Sequence, residues 1–246
     1  MVIDGTGAPP INSAAIVITG ERIVAVGPLE AIAILANATV IDAKGGTITP
    51  GIINSHGHFA MQAAEILPAF LAAGVTSLGD TNSLREDIAI LHETGTWPNA
   101  ARSFASGPCL TAVGGYPAPR DPAGAVKIDG PESARAAIDE MASLDVDYIK
   151  IAQEPFNWNF QDPGYLPFLS AEDIATTIDR AHAHGLRVRS HLRYGHNLIM
   201  PLMVALIAWN ICFFPLPMTP VLKRSTKLGN STLPPCPNLR NGSRGW

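Results

Sequence analysis

Hydrophobic and polar positions in this chain fall into three regions with different patterns. In the first, residues 15–19 and 22–26 are β-branched runs joined by Gly20-Glu21, which predicts a hairpin. A third short run covers 38–42, and Thr47 to Pro50 leads into Gly51-Ile-Ile-Asn, so a small β unit precedes the first buried strand. From there strand and helix periods alternate. The pattern predicts a helix over 61–73, a strand over 75–78, a helix over 84–93 and a strand over 102–106. A Gly/Pro-rich loop over 107–130 follows, then a helix over 132–144 opened by Pro131 and a strand over 148–152. The last helix starts at Ser170, which has Asp173 at capping-box spacing, and ends at Gly185; the last strand covers 186–191. Strands that alternate with helices of this length specify a parallel sheet of βα units, with five strands. In a barrel of such units the chemistry sits at the C-terminal strand ends. His56, His58, Asp80, Lys150 and His191 occupy those positions.

Past about residue 194 the pattern changes, and no Asp or Glu follows Asp179. Residues 198–216 carry no charge but are broken by Pro201 and Pro215, and Lys223, Arg224 and Lys227 come after them. The length approaches the ~20 residues of a membrane span, while the prolines and Asn210 break the helix it would need. Membrane anchoring through 198–216 is therefore the weaker alternative. The closing segment is rich in Pro, Asn, Ser and Gly and is expected to be disordered. Its Asn230-Ser-Thr and Asn241-Gly-Ser sequences read as chance matches to a glycosylation pattern. The expected organisation is a β segment over 1–50, a βα region over 51–194 and an atypical tail over 195–246.

Composition narrows the function class. Of 246 residues, 47% are hydrophobic and 15% charged, which excludes a disordered chain. Lys and Arg total 17 against 21 Asp and Glu, a net charge of -4, so nothing points to nucleic acid or an anionic membrane. A small-molecule substrate is the expected partner. Cys109, Cys212 and Cys236 are odd in number and widely spaced, which suits reduced thiols, and no apolar leader is apparent, so a cytoplasmic location is expected.

The chemistry-bearing residues begin with His56-Gly57-His58. An i, i+2 pair on an extended strand directs both imidazoles to one side, which suits a metal ion; the plain alternative is two histidines capping a loop. Lys150 lies in an apolar strand, where a lysine is costly to bury unless paired or chemically changed; the alternative is a strand-end lysine reaching solvent. His191 taken alone is as well read as a core histidine. Asp80 and Tyr116 are candidates to line a substrate pocket, with a helix cap the alternative for Asp80. His92, His182 and His184 are read as structural, and His196 is given no role.

Together Asp4-Gly-Thr-Gly, the hairpin, Ile41-Asp-Ala-Lys-Gly, Pro50-Gly-Ile-Ile-Asn-Ser-His-Gly-His, Tyr148-Ile-Lys-Ile and Ala181-His-Ala-His-Gly-Leu-Arg-Val-Arg-Ser-His resemble the amidohydrolase superfamily, in its imidazolonepropionase-like and prolidase-like branch. The resemblance covers roughly residues 1–194. It implies an α/β fold: part of a TIM (β/α)8 barrel, about five βα strands, with a small β-sandwich built partly from the N-terminal segment. It also implies one or two divalent metal ions, zinc by default, held by His56, His58, Lys150 and His191, with Lys150 carboxylated to bridge two ions. The implied reaction is hydrolysis of a non-peptide carbon–nitrogen bond, as in a cyclic amide, by metal-activated hydroxide.

The family's later metal-binding His and its late catalytic Asp have no counterpart here. An inactive chain, a homo-oligomer covering open sheet edges, and a tail arising from read-through are therefore further expectations. The alternatives are a non-catalytic amidohydrolase-like protein and a membrane-anchored fragment.

Overall fold

The computed structural model describes residues 1–154 and 164–192, together with the backbone of 208–211. These all lie in a unit spanning Met1–Phe213; a second unit, Phe214–Trp246, lies outside the described residues. So do His196, Cys212, Cys236, the tail's glycosylation-like sequences and most of the 198–216 stretch. No helix among the described residues is long and apolar enough to cross a membrane.

The N-terminal hairpin forms as its pattern predicts. β1 (Ala14–Thr19) and β2 (Arg22–Pro28) pair antiparallel, with a register shift between Val17 and Ile18. They form a sheet of two strands only. Residues 38–42, expected as a strand, have no strand partner, and Ile41 is 90% exposed. A β-branched run without a neighbouring edge has nothing to take up its backbone hydrogen bonds, and propensity alone does not hold it extended. Around it, isolated bridges join Val2 to Ile11 and to Ile48. A β-sandwich is not formed among the described residues.

The βα region follows the predicted order. β3 (Ile52–Gly57), β4 (Val75–Asp80) and β5 (Arg102–Ala105) make a parallel three-stranded sheet. α1 (Ala63–Ala72) and α2 (Asp87–Thr94) connect its strands and bury Leu67, Ile88 and Leu91 against Leu78. α1 is led in by a 3-10 turn, Ala60–Gln62. The long Gly/Pro loop departs from expectation because it carries two short parallel strands, β6 (Cys109–Ala112) and β7 (Ala125–Ile128). All four residues of β6 are buried, so short length and flanking turns had hidden a core strand.

α3 (Pro131–Ser143) leads into β8 (Tyr148–Ala152), and α4 (Ala171–Ala183) into β9 (Arg187–Leu192). α4 is opened by Ser170, whose hydroxyl accepts from the Asp173 N–H while the Asp173 carboxylate accepts from the Ser170 N–H. A further strand, β10 (Ala208–Ile211), pairs parallel with β9 inside the apolar stretch. The second sheet therefore has the order β10-β9-β8-β6-β7. The two sheets meet where Asp147, just ahead of β8, donates its N–H to the Ala105 carbonyl on β5. This is an α/β fold with parallel sheets, and no closed barrel is formed among the described residues. β8 is buried on both faces: Ile149 and Ile151 join the apolar core with Ile138, Ile174, Ile178 and Val188, and Tyr148 and Lys150 alternate on the opposite face.

Candidate active site

The C-terminal ends of β3, β4, β8 and β9 converge on one recess. His56, His58, Tyr116, Lys150 and His191 all line it, joined by Asn82 and Cys109, which the sequence reading did not single out. The recess thus collects five of the six residues proposed from sequence, and the sixth, Asp80, lies beside it.

His56 and His58 flank Gly57 at the end of β3, with ring centroids 5.3 Å apart and planes at 77°. Gly57 is required by space: a Cβ there would lie 2.5 Å from the Phe59 ring. The His56 N–H donates to Asn54 Oδ1 (3.1 Å), and Thr81 returns both its N–H and its hydroxyl to the Gly57 carbonyl. The pair is therefore anchored at its backbone from within β3 and from the end of β4.

Asp80 is 1% exposed, and its carboxylate faces backbone rather than open space. Oδ2 accepts from the N–H groups of Phe59 (2.7 Å) and Ala60 (3.1 Å), and Oδ1 from that of Asn82 (3.2 Å). The structure gives Asp80 the task of holding the turn that follows His58. This is close to the capping alternative weighed for it in the sequence. Burial raises the Asp80 pKa, opposed by the hydrogen bonds from Phe59 and Asn82.

Lys150 is 2% exposed at the centre of β8. His191 ends β9 at 8% exposure and stacks on Tyr116, ring centroids 4.8 Å apart and planes 27° from parallel. Its Nε2 lies 3.6 Å from Oε2 of Glu154, a carboxylate 1% exposed four positions after Lys150. Sequence reasoning passed over Glu154; the available signal was a carboxylate at the end of the same buried strand. Asn82 was missed as well. Its Nδ2 donates to Asp121 Oδ2 (2.8 Å) and its Oδ1 accepts from the Cys109 N–H (3.0 Å), clasping the loop that carries Tyr116 to the end of β4.

The electrostatics favour neutral imidazoles. His56 is pushed down to about 3 by burial first, then by the charges of Lys150, His58, His191 and Arg189. His58 is also held below its ordinary value by burial, with Asp80 pulling the other way and Lys150 and His191 adding to the depression. Cys109 is pushed up to about 12 by burial and so is a neutral thiol. Neutral imidazoles offer lone pairs to a divalent ion. Among the described residues, however, no three His, Cys, Asp or Glu side chains converge closely enough to hold a metal by themselves. Lys150 lines the same recess, beside the polar side chains of Thr81, Asn82 and Tyr116.

No family model matches the chain. It is 29% identical over 191 residues to an enamidase from Eubacterium barkeri, covering 75% of this chain and 45% of the relative. A solved structure described as an amidohydrolase superposes with a TM-score of 0.72 at 23% identity, covering 85% of this chain and 58% of the other, a likeness of fold. A prolidase in complex with N-methylphosphonate-L-proline gives a TM-score of 0.63 at 27% identity, over 79% of this chain and 55% of that one. The chain spans about half the length of the proteins it matches.

Proposed function

We propose, from the premise that this chain belongs to the amidohydrolase superfamily, that its recess serves metal-dependent hydrolysis of a non-peptide carbon–nitrogen bond. The single observation that carries this reading is the gathering of His56, His58, Lys150 and His191 in one recess from three different parallel strands, with Lys150 inside β8 and the histidines at or near the C-terminal ends of β3 and β9. We read residues 1–50 as a sandwich segment and the parallel strands as part of a (β/α)8 barrel.

His56, His58, His191 and a carboxylated Lys150 would hold one or two divalent ions, zinc by their donor chemistry. Such an ion supplies Lewis acidity at a carbonyl and lowers the pKa of water towards neutrality. The chain's own groups prepare the site for it. Burial lowers the pKa of both imidazoles of the β3 pair, which favours the neutral form that a ligand bond needs. Tyr116 lies flat on His191 and limits rotation of its ring. The clasp from Asn82 to Asp121 and to Cys109 holds the Tyr116 loop over the recess, where it forms one wall of the substrate pocket.

A small cyclic amide fits these features best. The enamidase and the prolidase bound to a proline phosphonate both support a carbon–nitrogen bond as the target. The test is an assay of lactams, cyclic imides and N-acyl prolines with the full chain in the presence of zinc. Zinc-dependent ring opening or amine release that disappears in Lys150→Ala supports the proposal. Turnover unchanged by exhaustive chelation, or retained in full by Lys150→Ala, refutes it.

A further inference from the structure

Beneath the recess lies a second layer of side chains that the chemistry above does not use. In β8 and β9, positions two apart share a face, so Tyr148 lies under Lys150 and Arg189 under His191. The Arg189 guanidinium carbon sits 3.8 Å from the centroid of the Tyr148 ring. Its Nη1 donates across to the Ser55 carbonyl on β3, 2.9 Å away and one residue before His56. The Tyr148 hydroxyl in turn donates to the Asp80 carbonyl (2.6 Å), and the Asp80 carboxylate holds Phe59 and Ala60 just after His58. Among the described residues no Asp or Glu pairs with Arg189, so its charge is spent on a carbonyl and a ring face.

The fold also makes room for this arrangement. Gly79 on β4 lies at its centre, where an added Cβ would come within 3.0 Å of Arg189 Nη1, the Ser55 carbonyl oxygen and the Tyr148 hydroxyl alike. A side chain there would press on all three at closer than ordinary contact, so each would have to give by a few tenths of an ångström. The space at position 79 and the hydrogen bonds are independent observations, and both mark the same point.

We propose that Arg189 is a positioning residue for the His56–His58 pair, a strut from β9 to β3 that sets the distance between this pair and His191. The strut brackets the pair: Arg189 fixes the carbonyl before it, and Tyr148 with Asp80 fixes the turn after it. Arg189 and His191 share one strand, so a shift of β9 moves the far ligand and the strut together. A charge-assisted bond to a carbonyl and a cation–π contact both suit the half-buried Arg189 guanidinium. This inference depends on the metal-binding reading above, and its test separates the two.

The experiment is titration of the full chain with Co²⁺, read by visible absorption, which reports both affinity and coordination geometry. Arg189→Met keeps length and apolar packing but removes the donor. It is expected to weaken Co²⁺ binding by about 10–100-fold and to alter the spectrum at saturation, as loss of an outer partner does at metal sites. Arg189→Lys keeps the charge without the flat fork and is expected to fall between the two. Gly79→Ala retains every hydrogen-bonding group and is expected to show the same loss, so the inference stays open to refutation should Arg189→Met fail to fold. A general loss of stability would lower the melting temperature but leave the saturated spectrum unchanged. Folded Arg189→Met or Gly79→Ala protein with wild-type affinity and spectrum would overturn the strut while leaving the metal site standing. Failure of the wild-type chain to bind Co²⁺ would overturn the metal reading itself and the strut with it.

Discussion

At the scale of single residues, burial decides which candidates can act. Lys150, Asp80 and Glu154 are each 2% exposed or less, yet they face different surroundings. Asp80 is taken up by three backbone N–H groups and shapes the turn after His58, whereas Lys150 lines the recess. Sequence position placed both at strand ends but could not separate them, because the separation depends on where the chain after Gly57 returns. Cys109 illustrates the same point. It lines the recess at 4% exposure, and burial pushes its pKa up to about 12, so at pH 8 only roughly one thiol in ten thousand is the nucleophilic thiolate. Cys109 in the folded chain is therefore expected to resist iodoacetamide at pH 8 and to react on unfolding, as peptide mass mapping would show. Alkylation at the same rate in both states would contradict this.

At the scale of elements, helices and strands were legible wherever periodicity and punctuation agreed. The Ser170 and Asp173 spacing marked the start of α4, and the structure closes both hydrogen bonds of that box. Ser170→Ala is expected to cost about 1 kcal/mol in urea unfolding. An unchanged midpoint would show that the box contributes nothing. Elements were misread where partners decide the outcome. Residues 38–42 have strand composition but no edge to join, and β6 and β7 were hidden in a loop by their brevity. β10 lay in an apolar stretch whose prolines and lack of charge masked any strand signal.

One contact between elements carries a pH dependence. His92 at the end of α2 hydrogen-bonds to Asp147 Oδ2 (2.9 Å), the carboxylate that also accepts the Ala105 N–H just ahead of β8. The Asp147 hydrogen bond raises the His92 pKa above 6.5, burial opposes the rise, and the charges of Asp147 and Asp145 add to it. A raised histidine stabilises fully below its unfolded value, and that contribution is lost as pH rises through the folded value. His92→Gln is thus expected to lower stability at pH 5.5 by on the order of 0.5 kcal/mol and to change little at pH 9. Urea unfolding at both values checks this; equal losses at the two would rule out an ionic contribution.

At the scale of the whole molecule, two parallel sheets set four strand ends around one recess, and that juxtaposition was the part of the site most legible in the sequence. His56, His58, Lys150 and His191 could be assigned to strand ends from local pattern alone, and parallel topology then places strand ends on one side. What the sequence left hidden is the support: Asn82 after β4 holding the Tyr116 loop, Glu154 beside His191, and Arg189 reaching β3 through the space at Gly79. Each links residues far apart in the chain, which no local pattern encodes. The central claim is that the recess is a metal site, and the most direct measurement is the metal content per chain by mass spectrometry after exposure to zinc and dialysis. The account predicts about one or two zinc ions per wild-type chain and near-complete loss in the folded His56→Ala/His58→Ala double variant. Equal content in the two proteins, or none in the wild type, would contradict it.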